Sequence, residues 1–358
     1  MKVFLIIDSL GSGGAQRQMI NLASGFANRG IDIKLISLHK LNVYQETLKN
    51  YNLESVRTVH SQNSLKKLLK LGLIIRKERP THAIVFLFNP SLYTLLAALV
   101  FPKMKVILSE RTYEECVPKF HRQITRRLYW RASFVAANSW RQTDILNRLG
   151  HKNAICIPNG VHSEMLSKKK NFENSRIIVS VGRVSKLKNP MLLFAALERV
   201  NKIVKIPYRV LWLGDYTEHI GFYNECNELW ESSAAREFWT WVGRTEDVSS
   251  FLNRAYFLYH GSFGEGSPNA VFEALAQGLP VLASDIFDHG RVVMNGKNGF
   301  LFDPSNVDDL VRCIQNMDNL SEKEYQNMTL SAYNTVAENY THERFTGAYL
   351  QLVRDSSK

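Results

Sequence analysis

The stretch "GEGSPNAVFEALAQGLPV", residues 264–281, passes from a loop of glycine, serine and proline into an apolar helical pattern, with one glutamate on each side, Glu265 and Glu273. Ser267 is a good N-cap, Pro268 suits a first helical turn because it has no N–H to leave unpaired, and Gly278 is a C-terminal stop. The pattern predicts a helix from about residue 268 to about residue 277, with Pro280 leading into the next strand. Its first free N–H groups belong to Asn269 and Ala270, and such donors at the positive end of the helix dipole bind anions. Glu273 falls a little over one turn inside, on the side of Asn269, Ala270 and Gln277. A carboxylate there repels phosphate but accepts hydrogen bonds from sugar hydroxyls, so the geometry suggests an anion at the helix start flanked by polyols. The alternative makes Glu265 a solvated loop charge and Glu273 a surface glutamate of an ordinary amphipathic helix.

On either side of this stretch, short β-rich runs alternate with longer helical patterns. The first half offers residues 2–8, 32–38, 54–60, 81–88, 105–110, 133–139 and 154–159; the second offers 176–182, 208–214, 237–243, 257–262, 280–285 and 298–303. Several runs are almost wholly apolar, as parallel strands buried on both faces must be. Between the first two, Ala15, Met19, Leu22, Ala23 and Phe26 share one helical face and Gly30 is placed to stop the helix. Strand–helix alternation implies right-handed βαβ units, and 358 residues exceed the size of one core. The expected fold is α/β: two doubly wound, Rossmann-like domains facing a central cleft. The polar run at 162–175 serves as linker. The domains are placed at 1–165 and 175–338, with 339–358 a C-terminal helix free to cross back to the first.

Four widely spaced cysteines without a C-x-x-C pair argue against a zinc site or a disulfide framework and fit a reducing cytoplasm. The apolar run at the N-terminus is too short for a secretory signal. The one at 92–101 falls well short of the roughly 20 residues that span a bilayer. The expectation is a protein neither secreted nor membrane-spanning. Residues 1–160 carry 24 Lys and Arg against 9 Asp and Glu, whereas 161–358 carry 21 against 24. A basic half beside a mildly acidic one points to a polyanion or an anionic membrane as partner of the first half.

Two further loops follow strands. In "SVGRVSKLKNP" (180–190), Arg183, Lys186 and Lys188 sit at the carboxyl end of a strand, where open α/β sheets bind ligands. An arginine fork and a compact ammonium suit phosphate oxygens and would stabilise charge on a departing pyrophosphate; alternatively these are solvated loop cations. In "GSGGAQR" (11–17), Gln16 stands where a dinucleotide fingerprint needs its third glycine, and no acidic residue ends the second strand. An NAD site is thereby excluded. What remains is a Gly13–Gly14 turn, either a close backbone approach to a ligand or a plain βα turn.

With these loops in view, "EGSPNAVFEALAQGLPVLASD" resembles the E-x7-E motif of the retaining glycosyltransferases of family 4, enzymes of the GT-B fold. "SGGAQR", "IPNGV" (157–161), "VGRVSKLKNP" and "VGRTEDV" (242–248) fall in that family's order and spacing, so the resemblance covers essentially the whole chain. It implies a hexosyltransferase in which Arg183 and Lys188 hold the donor diphosphate and Glu273 binds the ribose. Glu265, with the backbone of Asn269 and Ala270, would contact the transferred sugar. Arg244 would lie beside the base, while Gly13 and Gly14 let the first loop approach diphosphate and acceptor. Many members have a histidine after the strand matching "KVILSE", where this chain has Arg111. An arginine cannot shuttle a proton at neutral pH, which leaves it phosphate or sugar binding. No D-x-D motif occurs, in keeping with a family in which basic residues and a helix start replace a divalent metal. No cofactor is expected beyond the donor, most simply a UDP-sugar.

The segments 63–80 and 118–133 mix Lys and Arg with Leu, Ile, Phe, Tyr and Trp. Such helices can lie on an anionic bilayer, each surface cation adding about 1 kcal/mol, or can be ordinary helices with solvated charges. In the family, basic N-domains often take polyprenyl-diphosphate-linked sugars. The resulting expectation is a peripheral enzyme on the cytoplasmic face of the plasma membrane that builds lipopolysaccharide, O-antigen or capsule from a lipid-linked or glycan acceptor. The rivals are a sugar-nucleotide epimerase or hydrolase on the same fold, and a non-enzymatic polyanion binder. The second is disfavoured because no nucleic-acid motif is present.

Overall fold

Runs that are apolar at every position become strands covered on both faces. A computed structural model describes residues 1–11, 13–51, 53, 56–111, 117–167, 175–233 and 235–357. It divides into two units, Met1–Gly160 with His342–Lys358, and Val161–Thr341. In the first unit the strands are β1 (Lys2–Ile7), β2 (Asp32–Ser37), β3 (Val56–Thr58), β4 (His82–Phe86), β5 (Lys105–Glu110), β6 (Phe134–Ala137) and β7 (Ala154–Cys156). They form one parallel sheet in the order β3-β2-β1-β4-β5-β6-β7. Helices α1 (Gly14–Ala27), α2 (Gln45–Asn50), α3 (Ser64–Glu78), α4 (Phe88–Val100), α5 (Lys119–Arg127) and α6 (Trp140–Arg148) connect them. Because side chains alternate along a strand, Val3, Leu5 and Ile7 enter one core while Phe4 and Ile6 enter the other. On α1 the face of Met19, Leu22, Ala23 and Phe26 packs into the first of these, and Gly30, at φ +68°, closes the turn beyond it.

The second unit repeats the plan with β8 (Ile177–Val181), β9 (Arg209–Leu213), β10 (Trp239–Gly243), β11 (Phe257–His260), β12 (Val281–Ser284) and β13 (Gly299–Phe302), in the order β10-β9-β8-β11-β12-β13. Its helices are α7 (Pro190–Val200), α8 (Ile220–Glu231), α9 (Val248–Arg254), α10 (Asn269–Ala276), α11 (His289–Val292), α12 (Val307–Asp318) and α13 (Glu322–Asn339). Of the presumed linker, residues 168–174 lie outside the described residues. Residues 161–165, expected with the first domain, belong to the second unit, where Val161 N donates to Tyr340 O at 2.9 Å.

The last helix, α14 (His342–Asp355), belongs to the first unit, where Phe345, Tyr349, Leu352 and Val353 join the core beneath α1. Gly25 lets the two helices touch: a Cβ there would lie 2.3 Å from Thr346 Cγ2.

The segment 118–133, expected either to lie on an anionic bilayer or to keep its charges solvated, places one of its cations in the core. Arg126 is buried and forks onto Glu110, Nε to Oε1 at 3.0 Å and Nη2 to Oε2 at 2.9 Å, and Tyr129 adds a bond to Oε1 at 2.7 Å. Burying Glu110 at the end of β5 requires this compensation, so Arg126 is a core cation and no membrane contact. Arg127, next to it, is exposed. Arg126→Ala should therefore cost about 3–5 kcal/mol in urea denaturation, and Arg127→Ala less than about 0.5 kcal/mol. Equal, small losses would contradict the burial of this pair.

Candidate active site

In the second unit the loops after β8, β9 and β10 are stitched together by their backbones. Gly182 N donates to Leu213 O at 2.8 Å, Gly214 N to Gly243 O at 2.8 Å, and Val184 N to Asp215 O at 2.9 Å. Gly214, at φ +158°, tolerates no side chain, since a Cβ would sit 2.0 Å from Gly182 O. This rim carries Arg183 and Arg244. Arg183 Nη1 donates to both carboxylate oxygens of Glu218, and both side chains are more than half exposed. The Asp215 carboxyl is held below its ordinary range by bonds from Thr217, with Arg244 and Arg183 adding to the effect.

Beyond Arg183 a short 3-10 turn, Lys186–Lys188, ends at Asn189 in the left-handed region, and Pro190 opens α7. The loop is fixed from below by Tyr259 Oη donating to Asn189 O and by Asn189 Nδ2 donating to Pro304 O, each at 2.9 Å. Phe263 N donates to Leu187 O at 2.8 Å, joining it to the loop after β11. Lys188 therefore reaches the Glu265 carboxylate and bonds Oε1, which also accepts from Ser262 Oγ at 2.9 Å. No described residue donates to Oε2. Glu265 is thus a fixed carboxylate and no solvated loop charge.

The helix α10 begins one residue later than expected: Pro268 is its N-cap, and no side chain caps it. Pro268 O accepts from Val271 N and Phe272 N, so the chain enters the helix through the proline itself, and Ser267 stays outside. The far end is as expected. Gly278, at φ +66°, donates to Leu275 O and Leu279 N to Ala274 O, a Schellman stop. The helix is buried all round, and Glu273 is 5 % exposed. Its carboxylate is therefore no surface group, which removes the plainer reading of the pair.

Gly13 and Gly14 stand in the first unit at the exposed start of α1, with Gly13 as its N-cap in extended backbone. Arg111, expected to bind a phosphate or a sugar hydroxyl, is buried in the same unit. It is 7 % exposed, with Nη1 on Tyr349 Oη at 3.0 Å, Nη2 on Asn159 Oδ1, and its guanidinium 4.6 Å from the Phe86 ring centroid. Its Nη atoms anchor α14 and the loop after β7, while Nε has no hydrogen-bond partner among the described residues.

Two histidines behind Glu265 escaped sequence reasoning. His260, the last residue of β11, is 3 % exposed with Nε2 3.6 Å from Glu265 Oε1, and His289 packs against its ring. The available signal was a lone imidazole closing the otherwise apolar run "FLYH". Burial pushes the Glu265 carboxyl up, but Lys188 and His260 outweigh it and hold it well below the carboxylate range. Burial pushes His260 down, and drives His289 down to about 4 with His260 reinforcing the shift.

The family model for glycosyltransferase family 4 matches residues 12–164, and that for glycosyl transferases group 1 matches 162–335. A Campylobacter jejuni protein described as a GalNAc-alpha-(1->4)-GalNAc-alpha-(1->3)-diNAcBac-PP-undecaprenol alpha-1,4-N-acetyl-D-galactosaminyltransferase is 25% identical over 321 residues, 84% of each chain. A glycosyltransferase of Rickettsia africae superposes with a TM-score of 0.86 at 18% identity, over 100% of this chain and 98% of that one. Anabaena HepE, in complex with UDP-glucose, gives 0.86 at 15% identity over 99% and 100%. The fold is GT-B, built from two Rossmann-like domains. The chain belongs to the GT-B glycosyltransferases of the family 4 type and is a hexosyltransferase.

The depressed imidazoles make the second unit acid-labile. Unfolded, His289 takes a proton near its ordinary value of 6.5; folded, only near about 4, so stability is lost as pH falls between these values. Glu265, held low, contributes stability that is lost below its ordinary value of 4.5 and so acts in the same direction. Denaturant titrations should show stability falling from pH 7 to pH 4. His289→Asn, which keeps a donor for Ser284, should reduce the fall by on the order of 3 kcal/mol. Identical slopes for the two proteins would contradict this assignment.

Proposed function

We propose that the enzyme transfers a hexose or N-acetylhexosamine from a UDP-sugar, with retention and without a divalent metal, to a polyprenyl-diphosphate-linked sugar in the assembly of lipopolysaccharide, O-antigen or capsule. The observation that carries this reading is the Glu265 carboxylate, fixed through Oε1 by Lys188 and Ser262 with Oε2 free of described donors, ahead of a helix whose N-cap is a proline. A rigid acceptor suits sugar hydroxyls, and the N–H groups of Asn269 and Ala270 suit an anion. The diphosphate would draw Arg183 from Glu218 and Lys188 from Glu265, since phosphate oxygens offer the same bonds with more charge. Glu273 binds the ribose, Arg244 lies beside the base, and the exposed backbone at Gly13 and Gly14 serves diphosphate and acceptor. The anomeric C–O bond to phosphate breaks as the acceptor oxygen bonds the same face, and the departing phosphate oxygen takes the acceptor proton. Developing charge on that oxygen is met by guanidinium, ammonium and amide dipoles, the terms for which a metal is otherwise used. The UDP-glucose bound to HepE and the undecaprenol-linked substrate in the name of the Campylobacter relative support donor and acceptor classes.

A transfer assay with a UDP-sugar panel and an undecaprenyl-diphosphate-linked acceptor tests this. Activity is expected to survive EDTA, and Glu273→Ala to lose it by at least about 100-fold with an unchanged melting curve. Collapse in chelator sinks the metal-independent route, and near-normal Glu273→Ala activity sinks the ribose assignment.

An acceptor of this kind places the enzyme at a lipid surface, and α3 is suited to one. Its buried side carries Leu71 and Ile75, yet Leu65, Leu69 and Leu73 form a second, exposed stripe at helical spacing. Exposed Lys66, Lys70, Arg76 and Lys77 flank it, and Phe120 and Trp130 are exposed in the same unit. Apolar stripe and cations together match the interface of an anionic bilayer. No described helix is long and apolar enough to cross a membrane. The triple variant Leu65→Ser, Leu69→Ser, Leu73→Ser should lose most co-sedimentation with phosphatidylglycerol vesicles while keeping its fold; unaltered sedimentation removes the membrane role.

A further inference from the structure

The two buried imidazoles behind Glu265 take no part in the chemistry above. A carbonyl oxygen only accepts, so the 2.8 Å contact between His289 Nδ1 and Ser284 O places the His289 proton on Nδ1. His289 presents its ring to His260 at 63°, with centroids 5.3 Å apart. Ser284 Oγ donates to Ser262 O at 2.6 Å, tying the end of β12 to the loop that carries Glu265. The charged groups facing His260 are Glu265 and Lys188, and His289 is the other titratable neighbour. His260 Nε2 has no hydrogen-bond partner, and Glu265 Oε1 lies 3.6 Å away. A carboxylate only accepts, so the proton on His260 belongs on Nε2, aimed at that oxygen. An unpaired buried donor is costly, and this one lies a few tenths of an ångström from pairing.

Resting on the role proposed above for Glu265, we infer that His260, braced by His289, is a positioning residue that takes over the Glu265 carboxylate when Lys188 turns to the donor diphosphate. In the free protein Lys188 is committed to Oε1. Once its charge moves to phosphate, Glu265 keeps Ser262 alone unless another donor closes in. His260 is that donor. It holds Oε1 so that Oε2 stays turned to the hydroxyls of the transferred sugar, and because the imidazole is neutral it adds no charge to compete with the diphosphate.

Two measurements test this. In 15N-histidine NMR the His260 resonance is expected as the Nε2–H tautomer, with an Nε2–H signal that shifts downfield on adding UDP and fails to shift in Glu265→Gln. A signal indifferent to both UDP and Glu265→Gln overturns the inference. In kinetics, His260→Ala should lower kcat about 100-fold with UDP affinity unchanged, because misplacement of about 1 Å costs that much. His260→Gln, which restores a donor, should recover most of the rate. The double variant His260→Ala, Glu265→Gln should be no slower than Glu265→Gln alone. Additive losses, or a fall in UDP affinity parallel to the rate, overturn it. Should the wild type bind UDP but transfer no sugar, the functional reading fails while the NMR response still decides whether His260 takes over the carboxylate.

Discussion

A parallel sheet has to be covered on both faces, and everything polar in this protein is arranged around that constraint. With both faces dry, the strands leave only their ends to water. In the second unit the carboxyl ends of β8, β9, β10 and β11 therefore collect Arg183, Lys188, Asp215, Arg244 and Glu265 on one rim. The backbone bonds between Gly182, Leu213, Gly214 and Gly243 make that rim a single piece. Gly214 shows how close the fit is, for the loops touch where any side chain would stand.

Each cation proposed to meet phosphate is already paired with a carboxylate in the free protein, Arg183 with Glu218 and Lys188 with Glu265. The pairs differ in kind. The first is exposed and weak, and a phosphate can break it at little cost. The second is partly buried and shares its carboxylate with Ser262, while the unpaired His260 Nε2 stands 3.6 Å from Oε1. The polar network lies inside the fold rather than on its surface, and there low dielectric makes both its bonds and its omissions expensive.

The basic character of the first half divides in a similar way. Arg111 and Arg126 are interior cations, one pinning α14 and the other neutralising Glu110. Lys66, Lys70 and Lys77 on α3 are surface charges beside an exposed leucine stripe. Net charge counts them alike, although only the second set stands on the surface.

Strand positions, the βαβ alternation, the Gly278 stop and the family motifs were legible in the sequence, because each depends on local periodicity or on the backbone freedom of one residue. The N-cap was misplaced by a residue, since a proline's carbonyl can start a helix that its neighbour's side chain does not cap. Glu273 could not be told from a surface glutamate, Arg111 from a ligand-binding arginine, or Arg126 from a lipid-facing one. Nor did His260 declare itself. What the sequence by itself determined was the path of the chain and the ends at which chemistry could gather. Which charges are buried and which carboxylate is fixed were decided by the tertiary assembly, with partners as far as 77 and 238 positions apart, as Lys188 with Glu265 and Arg111 with Tyr349. Burial and pairing are properties of that assembly, and no window of sequence contains them.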